Sequence, residues 1–254
     1  MKLSFISCSG ANEHTNIREL ADAFGNLFYP EIVMGIQVSG KKASYETPRY
    51  LWLERLYKYL EKTDTYLNIS LHVNEDWAER FLEGDVAEEL NHFLRTNHSQ
   101  GIPFIKTVQL NFKLSDKIEK DIDADVLIET MRRYPRQDFI LSCNRYNNNF
   151  INRIYNESSY KFLCLYDESF GEGIIPAQRE APLFEDRLQG YAGGLSPDNI
   201  IEELQKIEKL VDNDTEIFVD AEGKLKDTDG KFSITKAKEF ADNCWKYNWN
   251  NFRL

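Results

Sequence analysis

The residues best suited to chemistry lie near the end of the chain, in Gly190-Tyr191-Ala192-Gly193-Gly194-Leu195-Ser196-Pro197-Asp198-Asn199-Ile200. Ser196 suits an N-cap, Pro197 a first helical position and Asp198 the positive end of a helix dipole. Two glycines before a helix N-terminus let the backbone approach a ligand and aim N–H groups at an anion. The same pattern also fits a tight turn leading into a capped helix, so both readings stay open on this segment alone. Further along, Asp220-Ala221-Glu222-Gly223 ends another apolar run with two acids and a glycine. Asp167 closes Phe162-Leu163-Cys164-Leu165-Tyr166. A carboxylate ending a buried strand is costly without a purpose or a partner, and poor solvation would suit it to general acid work. Cys8 ends the first apolar run, where it serves either as a thiolate base or as a small core residue.

The intervening pattern supplies the elements that must hold these groups. Short apolar runs alternate with amphipathic stretches. Strands are expected over Leu3–Cys8, Ile32–Val38, Tyr66–Val73, Phe104–Asn111, Asp138–Cys143, Tyr160–Tyr166, Leu188–Ala192 and Glu216–Asp220. Helices are expected over Thr15–Phe24, Tyr50–Lys62, two pieces of Trp77–Arg95 broken at Gly84, Ile118–Arg133, Asn148–Tyr155, from Pro197 to Val211, and Ser233–Lys246. In the second helix Leu51, Leu53, Leu56, Tyr59 and Leu60 are available for burial. Continuous runs such as Phe139-Ile140-Leu141 belong to strands buried on both faces of a parallel sheet. Eight strand–helix units in 254 residues predict one closed (β/α)8 TIM barrel spanning 1–254 as a single domain. No Gly-x-Gly-x-x-Gly follows the first strand, which argues against a dinucleotide-binding sheet.

Composition narrows the function. A net charge of −11 lacks the basic footprint of a nucleic-acid binder. It also means that an anionic substrate needs a local positive pocket. No apolar run is long enough to span a membrane, and Met1–Cys8 reads as a strand rather than a leader, so a cytoplasmic chain is expected. Cys8, Cys143, Cys164 and Cys244 are far apart, without metal spacing, and are expected to be reduced. His14, His72, His92 and His98 form no ligand cluster. The aromatic tail Trp245-Lys246-Tyr247-Asn248-Trp249 is expected to cover the barrel base or meet a partner. Oligomeric state is open between monomer and homodimer.

Several of these segments together resemble the phosphoribosylanthranilate isomerase family. The first strand ends in Cys8, where that family has Cys-Gly-Ile. Pro48-Arg49-Tyr50 resembles its Lys/Ser-Arg-Tyr, and Val108-Gln109-Leu110-Asn111 its Val-Gln-Leu-His. Phe162–Gly173 resembles its strand, Asp and glycine-rich loop, and Gly190–Ile200 its Gly-Gly-Leu-x-Pro-x-Asn-Val phosphate loop. The resemblance implies an aldose-to-ketose (Amadori) rearrangement of a phosphoribosyl amine, in tryptophan biosynthesis, without cofactor or metal. It implies that Asp167 protonates the furanose oxygen and Cys8 removes the C2 proton. Arg49 would hold the anthranilate carboxylate, and Gly193, Gly194 and Gly223 would donate to the phosphate. Asn111 and Asp220 complete the expected substrate contacts.

The chain departs from the family pattern at Ser9, which stands for a Gly, and at Asn111, which stands for a His. It also carries Glu222 beside the expected phosphate, where Lys224 or Arg187 would have to compensate. Lys113, Arg145 and Arg179 are further candidates for the mouth. These departures keep two alternatives in view: a barrel enzyme for another phosphorylated or anionic small molecule, and a barrel without catalysis.

Overall fold

The computed structural model describes residues 1–27, 31–114, 122–167 and 173–251, with side chains through 248. Eight parallel strands close into one barrel in chain order, β1 pairing with both β2 and β8. They are β1 (Lys2–Ser9), β2 (Glu31–Val38), β3 (Asn68–Val73), β4 (Thr107–Leu110), β5 (Asp138–Cys143), β6 (Leu163–Tyr166), β7 (Gln189–Tyr191) and β8 (Glu216–Ala221). The expected TIM barrel is therefore the fold. Expected strands three, four and six begin later than their apolar runs, because those runs start in the approach to the barrel rather than in its ladder.

Helices surround the barrel: α1 (Ile17–Phe24), α2 (Gly40–Ala43), α3 (Pro48–Thr63), α4 (Glu75–Leu82), α5 (Glu88–Arg95), α6 (Ala124–Arg132), α7 (Asn148–Glu157), α8 (Ile200–Glu208) and α9 (Ile234–Asn251). Local chemistry explains their starts. Asn16 accepts from the N–H groups of Arg18 and Glu19 ahead of α1, and Thr47 from that of Tyr50 ahead of α3, with Pro48 in the first turn. Gly84 takes φ +84° and separates α4 from α5, as the sequence predicts. Along α3, Leu53, Leu56 and Leu60 are buried, but Leu51 faces solvent and Trp52 takes its place in the core. Of the helix expected over 118–133, residues 118–121 lie outside the described residues.

Two apolar regions hold the fold together. The larger one fills the space between barrel and helices. The smaller one lies within the barrel, where Phe5, Val33, Ile140, Leu165, Ala192 and Phe218 meet. Phe5 and Phe218 stack with ring centroids 4.3 Å apart. Gly190 is needed there, since a Cβ on it would sit 2.1 Å from the Phe218 ring. The rest of the interior is polar: Asn68, Ser70, His72, Thr107 and Gln109 on β3 and β4 are all buried. At the opposite end, the Leu3 N–H donates to Asn248 Oδ1 at 3.2 Å and the Tyr247 hydroxyl to Glu208 at 2.6 Å, which seats the end of α9 against the start of β1 and the end of α8.

Candidate functional site

In a barrel of this kind the C-terminal strand ends form the mouth. Here they surround a cavity of about 480 Å³. Asp167, Asn111, Asp220, Gly193, Gly194 and Gly223 all line it, so the structure brings six of the eight expected site residues together.

Asp220 sits deepest. Alternation along β8 turns Phe218 and Asp220 into the barrel, and Asp220 is only 6% exposed. Ser9 Oγ donates to its Oδ1 at 2.5 Å, and Ser7 Oγ lies 3.2 Å from Ser9 Oγ. Burial pushes the Asp220 carboxyl up, the Ser9 and Ser7 hydroxyls pull it back, and the Asp167 charge adds to the rise, giving about 6. Asp167 follows β6 directly. Its Oδ1 lies 3.7 Å from where a Cβ on Gly193 would stand, so this carboxylate abuts the double-glycine loop.

Cys8 is not at this mouth. On β1 the residues facing inward are Phe5, Ser7 and Ser9, so Cys8 faces outward. It is fully buried under α9, with its thiol donating to the Ala237 carbonyl at 3.6 Å. Burial first, and the Asp220 charge second, push this thiol far up. At the end of β1 the inward residue is Ser9, which meets the cavity through its bond to Asp220, and the left-handed backbone follows at Gly10 (φ +115°). Arg49 is also elsewhere. It lies in the first turn of α3, paired with the Glu13 carboxylate and donating to the Gln37 carbonyl at 2.8 Å. Burial raises the Glu13 carboxyl, but the Arg49 contact reverses this and holds it below the usual range. With both fork edges committed, the guanidinium ties the loop after β1 to the end of β2 and adds nothing to the cavity lining.

The double-glycine loop is fixed from behind. Arg179 and Glu203 form a buried pair, 4% and 3% exposed, at 2.8 Å. Arg179 also donates to the carbonyls of Ala192 and Gly193, and Asn199 Nδ2 donates to the Gly194 carbonyl at 2.9 Å. In a trans peptide the next N–H points opposite to its carbonyl. The N–H groups of Gly193, Gly194 and Leu195 are thus turned away from Arg179 and Asn199, and all three residues line the cavity. Gly193 and Gly194 adopt φ +82° and +68°, conformations that favour glycine. Burial raises the Glu203 carboxyl, while donors from Lys206 and Arg179 bring it below its ordinary value.

The helix signal at Ser196 needs correcting. Ser196 is not the N-cap: its carbonyl accepts from the N–H groups of Asn199 and Ile200, making a turn, and α8 begins at Ile200. Asn199 closes that turn, its Oδ1 accepting the Ser196 N–H at 2.9 Å. Glu222 does reach the cavity, but it accepts from Gln37 Nε2 at 2.7 Å and faces Lys226 at 3.6 Å. Arg187 lies away from it, paired with Asp186 over the rings of Tyr155 and Phe162. Lys224 and Lys113 line the cavity, whereas Arg145 stacks on Tyr146. Asn111 Nδ2 donates to Asn74 Oδ1 at 3.0 Å, and its own Oδ1 accepts from Gln109 Nε2 at 3.0 Å.

Sequence reasoning missed Ser9 and Gln109, and left Arg179 without a direction. Its usable signal was Ser9-Gly10 itself, a small polar residue and a glycine at the end of the first strand. Among the described residues no three His, Cys, Asp or Glu side chains converge as a metal site, and no helix is long and apolar enough to cross a membrane.

No family model and no curated protein matches the chain. Solved structures do. Phosphoribosyl anthranilate isomerase from Thermotoga maritima matches with a TM-score of 0.51 at 16% identity, over 96% of this chain and 99% of that one. The chain has the fold of that isomerase. TrpF from Jonesia denitrificans matches with a TM-score of 0.53 at 14% identity, over 96% and 97% of the two chains. KGPDC from Streptococcus mutans matches with 0.50 at 10%, over 97% and 99%. At these identities the likeness is one of fold alone, and a fold does not carry a chemistry with it.

Proposed function

We propose that this chain is an enzyme of intramolecular proton transfer on a phosphorylated small molecule, and that its reaction is an aldose–ketose isomerisation of a phosphosugar adduct. One observation carries the reading: two carboxylates, Asp167 and Asp220, face a single cavity beside a loop whose N–H groups are turned away from the Arg179 and Asn199 side chains that hold its carbonyls. A carboxyl near pKa 6 is mostly ionised at neutral pH and more basic than an ordinary aspartate, which suits a base for a carbon-bound proton. Asp220 takes the role expected of Cys8.

In the proposed sequence, Asp167 relays a proton from solvent to the ring oxygen, the C1–O bond breaks and an iminium forms at C1. Asp220 removes the C2 proton, and that electron pair forms the C1–C2 double bond as the iminium becomes an amine. The enolic C2 hydroxyl then loses its proton as C1 gains one, which gives the ketose. The phosphate is read as held by Gly193, Gly194 and Gly223 with Lys224.

Phosphoribosylanthranilate is the first substrate to test. A second reading, another phosphorylated or anionic substrate, is favoured by Arg49, whose guanidinium is occupied by Glu13 rather than free for an aromatic carboxylate. The assay generates phosphoribosylanthranilate in situ and follows the loss of its fluorescence. Turnover that disappears in Asp220→Asn and Asp167→Asn but persists in Cys8→Ala is the expected result. Turnover retained in Asp220→Asn overturns the assigned base. Absence of turnover in the folded wild type, with thermal stabilisation by other sugar phosphates, moves the assignment to the second reading.

A further inference from the structure

His72 is fully buried, on the inward face of β3, with its Nε2 lacking a hydrogen-bond partner among the described residues. A buried polar atom without a partner is costly, and such atoms concentrate where they serve a purpose. The surrounding hydrogen bonds fix its proton. Asn74 Nδ2 donates to the His72 main-chain carbonyl at 2.7 Å, an atom that can only accept. Asn74 must therefore present Oδ1 to Asn111, which donates from Nδ2 and leaves its own Oδ1 to accept from Gln109 Nε2. Gln109 thus turns Nε2 toward His72 Nδ1, 3.4 Å away. Nδ1 accepts, and the imidazole proton sits on Nε2. Burial keeps the ring neutral, lowering its pKa to about 4 against the pull of Glu222.

That nitrogen stands close to Ser9 across β2. A Cβ on Gly35, the residue between them on β2, would lie 2.0 Å from Ser9 Oγ and 2.7 Å from His72 Nε2. The glycine lets the two side chains approach across the strand.

We propose that His72 is a positioning residue for Asp220, acting through Ser9: its Nε2–H fills a lone pair of the Ser9 hydroxyl when Asp220 is ionised, which holds the Ser9 proton on Oδ1 and leaves Oδ2 to the cavity. The inference rests on the reading of Asp220 as the base, and it supplies the donors that a buried carboxylate needs to carry charge. Each bond polarises the next in the order Gln109, His72, Ser9, Asp220. The groups facing Asp220 are Ser7 and Ser9 from β1 and the Asp167 carboxylate after β6. Those facing His72 are Gln109 from β4 and, through its charge, Glu222 after β8. None of them supplies a positive charge that would do the same work.

The test is NMR on the intact protein. Imidazole nitrogen shifts of the wild type are expected to show the Nε2–H tautomer of a neutral ring, without titration between pH 5 and 8. An Nδ1–H tautomer overturns the proposal. Carboxyl carbons of labelled aspartate then give the Asp220 midpoint, its signal assigned by its absence in Asp220→Asn. His72→Leu is expected to raise that midpoint by about one pH unit, because the ionised form loses a donor. His72→Gln, which keeps an N–H near the Nε2 position, is expected to restore most of it. In the Ser9→Ala background the residue at position 72 should no longer matter. A midpoint that is unchanged in His72→Leu, or still sensitive to position 72 without Ser9, overturns the proposal. If the leucine variant fails to fold, the wild-type tautomer and the glutamine variant decide it. Turnover retained in Asp220→Asn would sink the functional reading alone, since the midpoint is measured without substrate.

Discussion

Asp220→Asn is expected to make the protein more stable at neutral pH while removing its chemistry. The Asp220 carboxyl rises from its ordinary 3.8 to about 6 in the fold, chiefly through burial. A raised folded value means that the native state binds the proton more tightly than the unfolded chain. The resulting stability is fully present below pH 3.8, is lost as pH rises through the folded value near 6, and is absent above it. A shift of about two units corresponds to roughly 3 kcal/mol withheld from the native state at pH 8. Asparagine has no such ionisation and still offers an oxygen to Ser9. The stability of Asp220→Asn relative to wild type should therefore grow between pH 4 and 7 by up to about 3 kcal/mol. In a chain of this size that is roughly 6–12 °C in Tm. Urea unfolding of both proteins at several pH values isolates the effect, because every other titration cancels in the difference. A difference that stays flat from pH 4 to 8 would refute the reasoning.

Three other perturbations test separate parts of the site. Arg179→Met leaves the Glu203 carboxylate, which is 3% exposed, with Lys206 as its remaining cationic partner, and should cost up to about 3–5 kcal/mol in urea unfolding. It should also abolish the response of the Gly193, Gly194 and Leu195 amide signals to added inorganic phosphate. Cys8→Ala removes only a sulfur packed under α9, so turnover should be unchanged and stability should fall by roughly 1 kcal/mol, read from the urea midpoint. Gly35→Ala drives a methyl into Ser9 Oγ and His72 Nε2, and should cost about 1–3 kcal/mol by calorimetry while raising the Asp220 midpoint.

Much of the architecture was legible in the chain. Eight apolar runs separated by amphipathic stretches, with Gly84 as a break, carry local physics that tertiary contacts did not override. The polar groups at strand ends were legible for the same reason, since a barrel exposes them only at its mouth, and Asn111, Asp167, Asp220 and the glycines are found there. What tertiary structure decided is where each side chain points. Phe5-Ile6-Ser7-Cys8 is buried on both faces, so its hydrophobic pattern has no alternation from which to read the pleat. Only the register of β1 against β2 and β8 sends Ser9 to Asp220 and Cys8 to α9. Arg49 has the residue type for a carboxylate clamp, but Glu13, far from it in sequence, holds it. The histidine that meets Ser9 lies on another strand altogether, brought near because Gly35 leaves the space between them open. Strand and helix formation depend on neighbours in sequence, whereas inward and outward facing in a closed barrel depend on register with strands distant in sequence.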